Sequence, residues 1–292
     1  MNLTYEHCTL CPRKCGVDRT AGQRGFCGMP GQMRVARAAP HLWEEPVISG
    51  QNGVGNVFFS GCTLQCVYCQ NEDISRFGKG KPVDSIGLRR LFEQLIDEGC
   101  HTIGLVTPTH FLPEILPALY PKLPVPVVYN CGGYESVETL KALEGLVDVY
   151  LPDMKYSDNA LAKKYSAAAD YVEVADAAIG EMYRQVGPAV IENGILTRGV
   201  LVRHLQLPGQ LDNTLGVLDW FAEKFPENDV YFSLMSQYVP YGRAKEMPEL
   251  CGKVTQLEWD AAVGWMDFLG IGNGFVQELS SASEEFIPDW EG

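Results

Sequence analysis

The sequence predicts an α/β fold, a partial (β/α)6 barrel that stays open rather than closing on eight units. Three observations predict it: short apolar runs alternate with helix-period segments, about six such units fit, and unusual polar residues follow each run. Runs of four to six apolar residues between helices mark parallel strands covered on both faces. They fall at 53–59, 102–106, 125–129, 147–151, 200–205 and 230–234. Helical segments fall at 84–98, 111–120, 136–143, 158–168, 172–185, 215–224 and 258–269. In the first of them Ile86, Leu88, Leu91, Leu95 and Ile96 approximate helix spacing. Pro117 makes the second irregular. Trp259 and Trp265 on the last helix read as core or subunit contacts.

A parallel barrel places its chemistry at the C-terminal ends of its strands. There the chain carries Gly61-Cys62, Thr107-Pro108-Thr109-His110, Asn130-Cys131-Gly132-Gly133, Asp153-Met154-Lys155, residues 204–209 and Ser236-Gln237-Tyr238. A random scatter of polar residues would not fall so regularly at one end of successive strands.

The bulk numbers narrow the class of function. A chain of 292 residues with 46% hydrophobic and 21% charged content is long enough for a sizeable core. Its formal net charge of −14 repels phosphate backbones, which argues against a nucleic-acid partner. The densest basic stretch, Arg13, Lys14, Arg19, Arg24, Arg34 and Arg37, lies among cysteines and reads as the surroundings of a metal site or a small docking face. MNLTYEHCTLC has no charged-then-apolar signal pattern, and no run of 18 apolar residues occurs, so a cytoplasmic protein without a membrane span is expected. In that compartment the ten cysteines are expected as thiols rather than disulfides. Four fall within 8–27, three within 62–69, and Cys100, Cys131 and Cys251 stand alone. Such clustering points to metal. The expected organisation is a Cys-rich metal-binding segment over 1–45, the barrel over 46–277 and a solvated acidic tail over 278–292.

Positions 61–71 read GCTLQCVYCQN, giving C-x3-C-x2-C through Cys62, Cys66 and Cys69. Thiolates at this spacing can face one small cluster from a single loop, and a four-iron cluster held by three of them keeps one iron open. A structural zinc completed by a distant residue is the plainer alternative, disfavoured by a loop that follows the first barrel strand and carries Tyr68 before its third cysteine.

The loop resembles the signature of the radical S-adenosylmethionine (SAM) superfamily. The resemblance implies a partial barrel of the radical SAM type and a [4Fe-4S] cluster on Cys62, Cys66 and Cys69. It also implies SAM on the open iron, Tyr68 beside the adenine, and an external one-electron reductant such as a flavodoxin or ferredoxin-like protein. More of the chain, over about 50–277, is similar to the pyruvate formate-lyase activating enzymes and their relatives. Asp153-Met154-Lys155 resembles their D-x-K, Leu201-Val202-Arg203 with Leu207-Pro208-Gly209 their L-x-R and P-G turn, and Asn130 to Tyr134 their D-T-N-G-aromatic turn. The resemblance implies Thr107, Thr109, Asn130, Asp153, Lys155, Arg203 and Gln237 as residues lining SAM. It departs where Thr107-Pro108-Thr109-His110 replaces a Gly-Gly-Glu turn, where Asn130 replaces an aspartate, and where Gln237-Tyr238 stands in place of a histidine. The implied substrate is a glycyl residue of a partner enzyme, or else a small molecule or peptide. A non-catalytic iron–sulfur electron carrier is the alternative from another class, and the constellation of polar strand ends argues against it.

Cys8, Cys11, Cys15 and Cys27 give C-x2-C-x3-C-x11-C, a complete set for either a structural zinc or a closed iron–sulfur cluster, with four reduced thiols the remaining reading. His110 and His204 are candidates for a direct role or for hydrogen-bonding anchors. Cys131 is either a hydrogen-atom donor or a packed thiol. Cys100 and Cys251 read as inert.

Overall fold

The computed structural model describes residues 3–283 and Trp290. Among these residues ten strands run in chain order: β1 (Arg34–His41), β2 (Val54–Phe59), β3 (Lys81–Pro82), β4 (Thr102–Val106), β5 (Val127–Cys131), β6 (Val149–Pro152), β7 (Val190–Glu192), β8 (Ile195–Leu205), β9 (Tyr231–Met235) and β10 (Gly274–Val276). They pair in the order β10-β9-β8-β6-β5-β4-β2-β1-β3, with β7 on β8. Every neighbouring pair from β2 to β10 is parallel. β2 and β10 share no ladder, so strand pairing does not close the sheet into a ring.

All six apolar runs are parallel strands, and β2, β4, β5 and β6 are buried throughout, as strands covered on both faces must be. The sheet holds two parts that periodicity did not announce. β10 is a seventh parallel strand of three residues, set in a glycine-rich stretch with almost no apolar run. β1 lies antiparallel on β2, from Val35 opposite Phe59 to His41 opposite Val54. Its sequence, RVARAAPH, has one large apolar residue to signal it.

The outward face of the sheet packs on the helices, with Phe92 and Leu95 of the helix Ser85–Asp97 in one cluster with Val57 and Phe59. Asp84 caps that helix by accepting from the Gly87 amide at 2.7 Å. The helix Gln256–Phe268 starts on a capping box between Thr255 and Glu258. The helix expected from 215 starts earlier, at Leu211, and Asn213 in its first turn accepts from the Ser157 amide at 2.9 Å. The inward face is a smaller cluster in which Val54, Val128, Val149 and Leu201 meet Ile48 from the short helix Pro46–Ser49. The chain between β1 and β2 therefore fills the inside of the curved sheet. This leaves the strand C-termini as the open end. No helix among the described residues is long and apolar enough to cross a membrane.

Candidate functional site

A cavity of about 420 Å³ opens at those strand ends. Its wall takes Cys62, Cys66 and Cys69 from the loop after β2, Thr107 from the end of β4, and Asn130 to Gly132 from β5. Asp153 and Lys155 after β6, Arg203 of β8 and Gln237 after β9 complete the residues the sequence placed there. A larger depression of about 1000 Å³, lined by Tyr5, Arg19 and Glu114, holds none of these groups.

Cys66 is buried and Cys62 and Cys69 are half-buried, and the three lie close enough for Cys66 to perturb the other two. Burial pushes Cys62 up to about 11, with Cys66 adding to it. Burial, then Cys66 and Cys62, pushes Cys69 up to about 12. Protein groups alone thus favour neutral thiols at Cys62 and Cys69, and the charge of bound iron would turn them into thiolates. Two hydroxyls already point at the sulfurs. Ser166 Oγ donates to Cys66 Sγ at 2.9 Å, and Ser75 Oγ lies 3.4 Å from Cys69 Sγ. A soft, three-sulfur donor set on one wall of a cavity fits an iron–sulfur cluster that leaves room for a further ligand.

The same cavity is lined by a network of half-buried charge. Asp153 pairs with Lys155 at 2.6 Å and with Arg203 Nε at 3.0 Å. The other Arg203 nitrogens donate to Glu44 Oε2 at 3.0 Å and Asn130 Oδ1 at 2.7 Å. Burial alone would raise the Asp153 carboxyl, but Lys155 and Arg203 outweigh it and hold the group below its ordinary range. Thr107 sits at φ +58° with its amide bonded to the Asn130 carbonyl at 2.9 Å, a left-handed backbone for a β-branched residue at a cavity wall.

Two expected residues lie outside the cavity wall. Tyr68 is buried, its hydroxyl 2.8 Å from that of Tyr156, which in turn lies 2.7 Å from Ser166 Oγ. Thr109 starts a 3-10 turn and donates to Glu135 Oε1 at 2.8 Å. His110 and His204 are anchors. One His110 ring nitrogen lies 2.7 Å from the Ser60 carbonyl, and the two of His204 meet the Met154 carbonyl and Thr214 Oγ1. Burial drives both well down, to about 3 and about 4, so both rings are neutral. Cys131 stands in the wall, Cys100 is buried elsewhere and Cys251 is exposed. The acidic tail expected over 278–292 mostly lies outside the described residues. Within them, Ser281 lines the cavity, and Trp290 packs edge-on against the wall residue Phe58 at 5.3 Å.

The N-terminal cysteines dock on the back of the cluster loop. Gln65 Nε2 donates to the Phe26 carbonyl, and Arg13 Nε donates to the Thr63 carbonyl at 2.9 Å. Gly61, at φ +86°, is packed against Met29 and the Cys27 carbonyl, which a Cβ there would approach to 2.7 Å. Gly61→Ala is therefore expected to cost more than about 1 kcal/mol, lowering the melting temperature and the iron retained after desalting. Cys8, Cys11 and Cys27 are buried and Cys15 is exposed. Burial pushes Cys11 up to about 12, and Glu135, Cys27 and Cys15 add to it. As they stand, no three His, Cys, Asp or Glu side chains among the described residues are grouped to hold a metal ion.

Three acids were missed by sequence reasoning. Glu44 and Glu45 sit in the non-periodic stretch before Pro46, where nothing local says that they point inward. Glu135 follows the Gly132-Gly133-Tyr134 turn, and its place beside a strand end was the available signal. It is buried without a cation, accepting from Thr109 and from Tyr129 Oη, the latter at 3.4 Å. Burial raises it from 4.5 to about 8, against those hydrogen bonds. The folded chain keeps this proton through a window where the unfolded chain has lost it, so stability falls as pH rises from about 4.5 to 8. Glu135→Gln is expected to melt several degrees above the native protein at pH 8, with the gap closing near pH 5.

Residues 48–107, which hold β2, the three-cysteine loop and β4, match the family described as a 4Fe-4S single cluster domain. Uncharacterized protein MJ0674 of Methanocaldococcus jannaschii is 29% identical over 270 residues, covering 89% of this chain and 74% of that protein. SuiB of Streptococcus suis, in its crystal structure bound to S-adenosylmethionine, shares the fold with a TM-score of 0.52 at 12% identity. That match covers 78% of this chain and 51% of SuiB, so the chain spans about half of SuiB's length. Methylornithine synthase (PylB) matches with a TM-score of 0.50 at 13% identity over 76% of this chain and 70% of its own. The α/β fold with a mostly parallel sheet is thus shared with both. The family match reaches residues 48–107 and the structural likeness reaches the fold, and neither reaches to the activating-enzyme branch.

Proposed function

We propose that this protein is a radical SAM enzyme, with a [4Fe-4S] cluster on Cys62, Cys66 and Cys69 and SAM in the cavity before it. The observation that carries the reading is the convergence on one cavity of the three thiols and Thr107, Asn130, Asp153, Lys155, Arg203 and Gln237, drawn from six strand ends. An electron from an external flavodoxin or ferredoxin-like reductant, passed to the cluster, would cleave SAM to methionine and a 5′-deoxyadenosyl radical that takes a hydrogen atom from substrate.

The protein's own contribution is positioning. Lys155 and Arg203 present cations suited to a carboxylate, each already oriented by Asp153. Glu44 and Asp153 present the complementary anions. Phe58, Leu64 and Val106 give the same cavity apolar walls that keep water from a reactive radical. Ser166 fixes the Cys66 sulfur through a hydrogen bond that, in an iron–sulfur site, tunes the potential.

Cys8, Cys11, Cys15 and Cys27 are proposed as a second metal site, zinc or iron–sulfur, on the chemistry of the donor set. The substrate is a small molecule or peptide group. A glycyl residue of a partner enzyme, as the activating-enzyme resemblance implied, is the other class. The test is anaerobic iron reconstitution and dithionite reduction with SAM, following 5′-deoxyadenosine by chromatography and counting iron and zinc in the same samples. Deoxyadenosine is the expected product. A fully loaded cluster that neither binds nor cleaves SAM with any candidate substrate returns the protein to the electron-carrier class.

A further inference from the structure

Beside the main cavity lies a chamber of about 120 Å³ that shares Trp43, Glu44, Arg203, Gln237 and Gln277 with it. Its remaining walls include Met235 and Phe275, which are apolar, and the carboxyl-bearing Glu45. Glu45 is 9% exposed, and its Oε2 makes no hydrogen bond to any described residue. A buried carboxylate oxygen without a donor is costly, and native sites rarely leave one without a reason.

The surrounding charges sharpen the point. Lys155 and Arg203 are matched by Asp153 and Glu44, all four joined by ion pairs. Glu45 accepts a hydrogen bond from Ser233 and feels Arg203, which leaves its Oε2 as the carboxyl oxygen without a donor. Burial raises its carboxyl, with Arg203 opposing and Glu44 adding to the rise. Burial also keeps the nearby His41 neutral, since its ring is shifted down. Missing from this set is one positive charge carrying N–H donors, at the end of an apolar stem short enough for the chamber.

We propose that the chamber is a substrate subsite for a primary alkylammonium group, held by Glu45 with its methylenes against Met235 and Phe275. The proposal rests on the radical SAM reading and deepens it by naming the substrate class: a small molecule or side chain that ends in an amine. SAM also carries an ammonium, so the test must tell the two sources apart.

Binding of n-butylammonium and of its neutral isostere 1-butanol to the reconstituted protein would be measured by saturation-transfer NMR titration, with and without saturating SAM. The expected result is saturable n-butylammonium binding, at least about tenfold tighter than 1-butanol, since a charge-assisted hydrogen bond is gained. Glu45→Gln is expected to weaken it about tenfold or more, and SAM to leave it unchanged. Equal binding of the two probes, no saturable binding of either, or undiminished binding to folded E45Q would overturn the proposal. Displacement by SAM would overturn the substrate assignment and give the chamber to SAM. The two wild-type probes decide the matter even where E45Q does not fold. Deoxyadenosine formed without amine binding overturns the chamber alone, and amine binding without deoxyadenosine overturns the catalytic reading and leaves the chamber standing.

Discussion

Cys66→Ala is expected to reduce deoxyadenosine formation to the level of a protein-free control and to strip the loop of iron. Cys66 is buried between Cys62 and Cys69 in the loop, and it is the sulfur that Ser166 meets at 2.9 Å. Two remaining thiols would have to hold a four-iron cluster that normally takes more, and each is pushed up by burial toward its neutral form. Cys251→Ala, at an exposed thiol bonded only to backbone carbonyls of its own turn, is the matching control and is expected to keep native iron and activity. Iron counting and chromatography on the pair check both halves. A C66A protein that still produced deoxyadenosine at the native rate would dismiss this loop as the cluster site.

Asp153→Ala is expected to be the most destabilising of the substitutions considered. It leaves Lys155 and Arg203, 17% and 14% exposed at their side chains, without the carboxylate that joins them. Removing one member of a buried ion pair costs about 3–5 kcal/mol, which for a chain of this length lowers the melting temperature by roughly 10 °C. Asp153→Asn keeps the size and one acceptor, so it should fall between the two. The carboxyl is held below its ordinary range, so its contribution is present above an unfolded value of about 3.9 and is lost as pH falls through the folded value. The D153A deficit is therefore expected at pH 7 and should shrink in strong acid. Thermal denaturation of the three proteins across that range checks it, and equal melting temperatures at pH 7 would mean that the network carries no net stability.

The readable part of the fold followed from burial on two faces. A parallel strand such as Val54–Phe59 cannot hide its character, because both neighbouring layers demand apolar contacts. β1 hid because an antiparallel strand beside a cysteine-rich segment needs little apolar surface of its own, and Arg34 and Arg37 broke its pattern. At the site, residues at the end of a strand or in the first turn after it were legible, since Thr107, Asn130, Asp153, Lys155 and Arg203 reach one cavity. The next turn was not. From Thr107 to Thr109 the chain enters a 3-10 helix, and the second threonine faces Glu135 instead. Glu44 and Glu45 were illegible for another reason: side chains on an irregular segment have no period from which to read a direction.

The placement of Glu44 also bears on the order in which the molecule is made. Its partner Arg203 stands 159 residues later in the chain, and Arg13 waits 153 residues for Ser166. During synthesis the interior segment and both cysteine sets emerge long before the strands that complete their surroundings. The strands can zip up successively from neighbours close in sequence, whereas the charged centre forms only by closing very long loops. A nascent chain stopped before β8 has β2, β4, β5 and β6 but leaves Glu44 without its guanidinium. The site is thus the last part of this protein to exist, and a truncated chain cannot hold a working fraction of it.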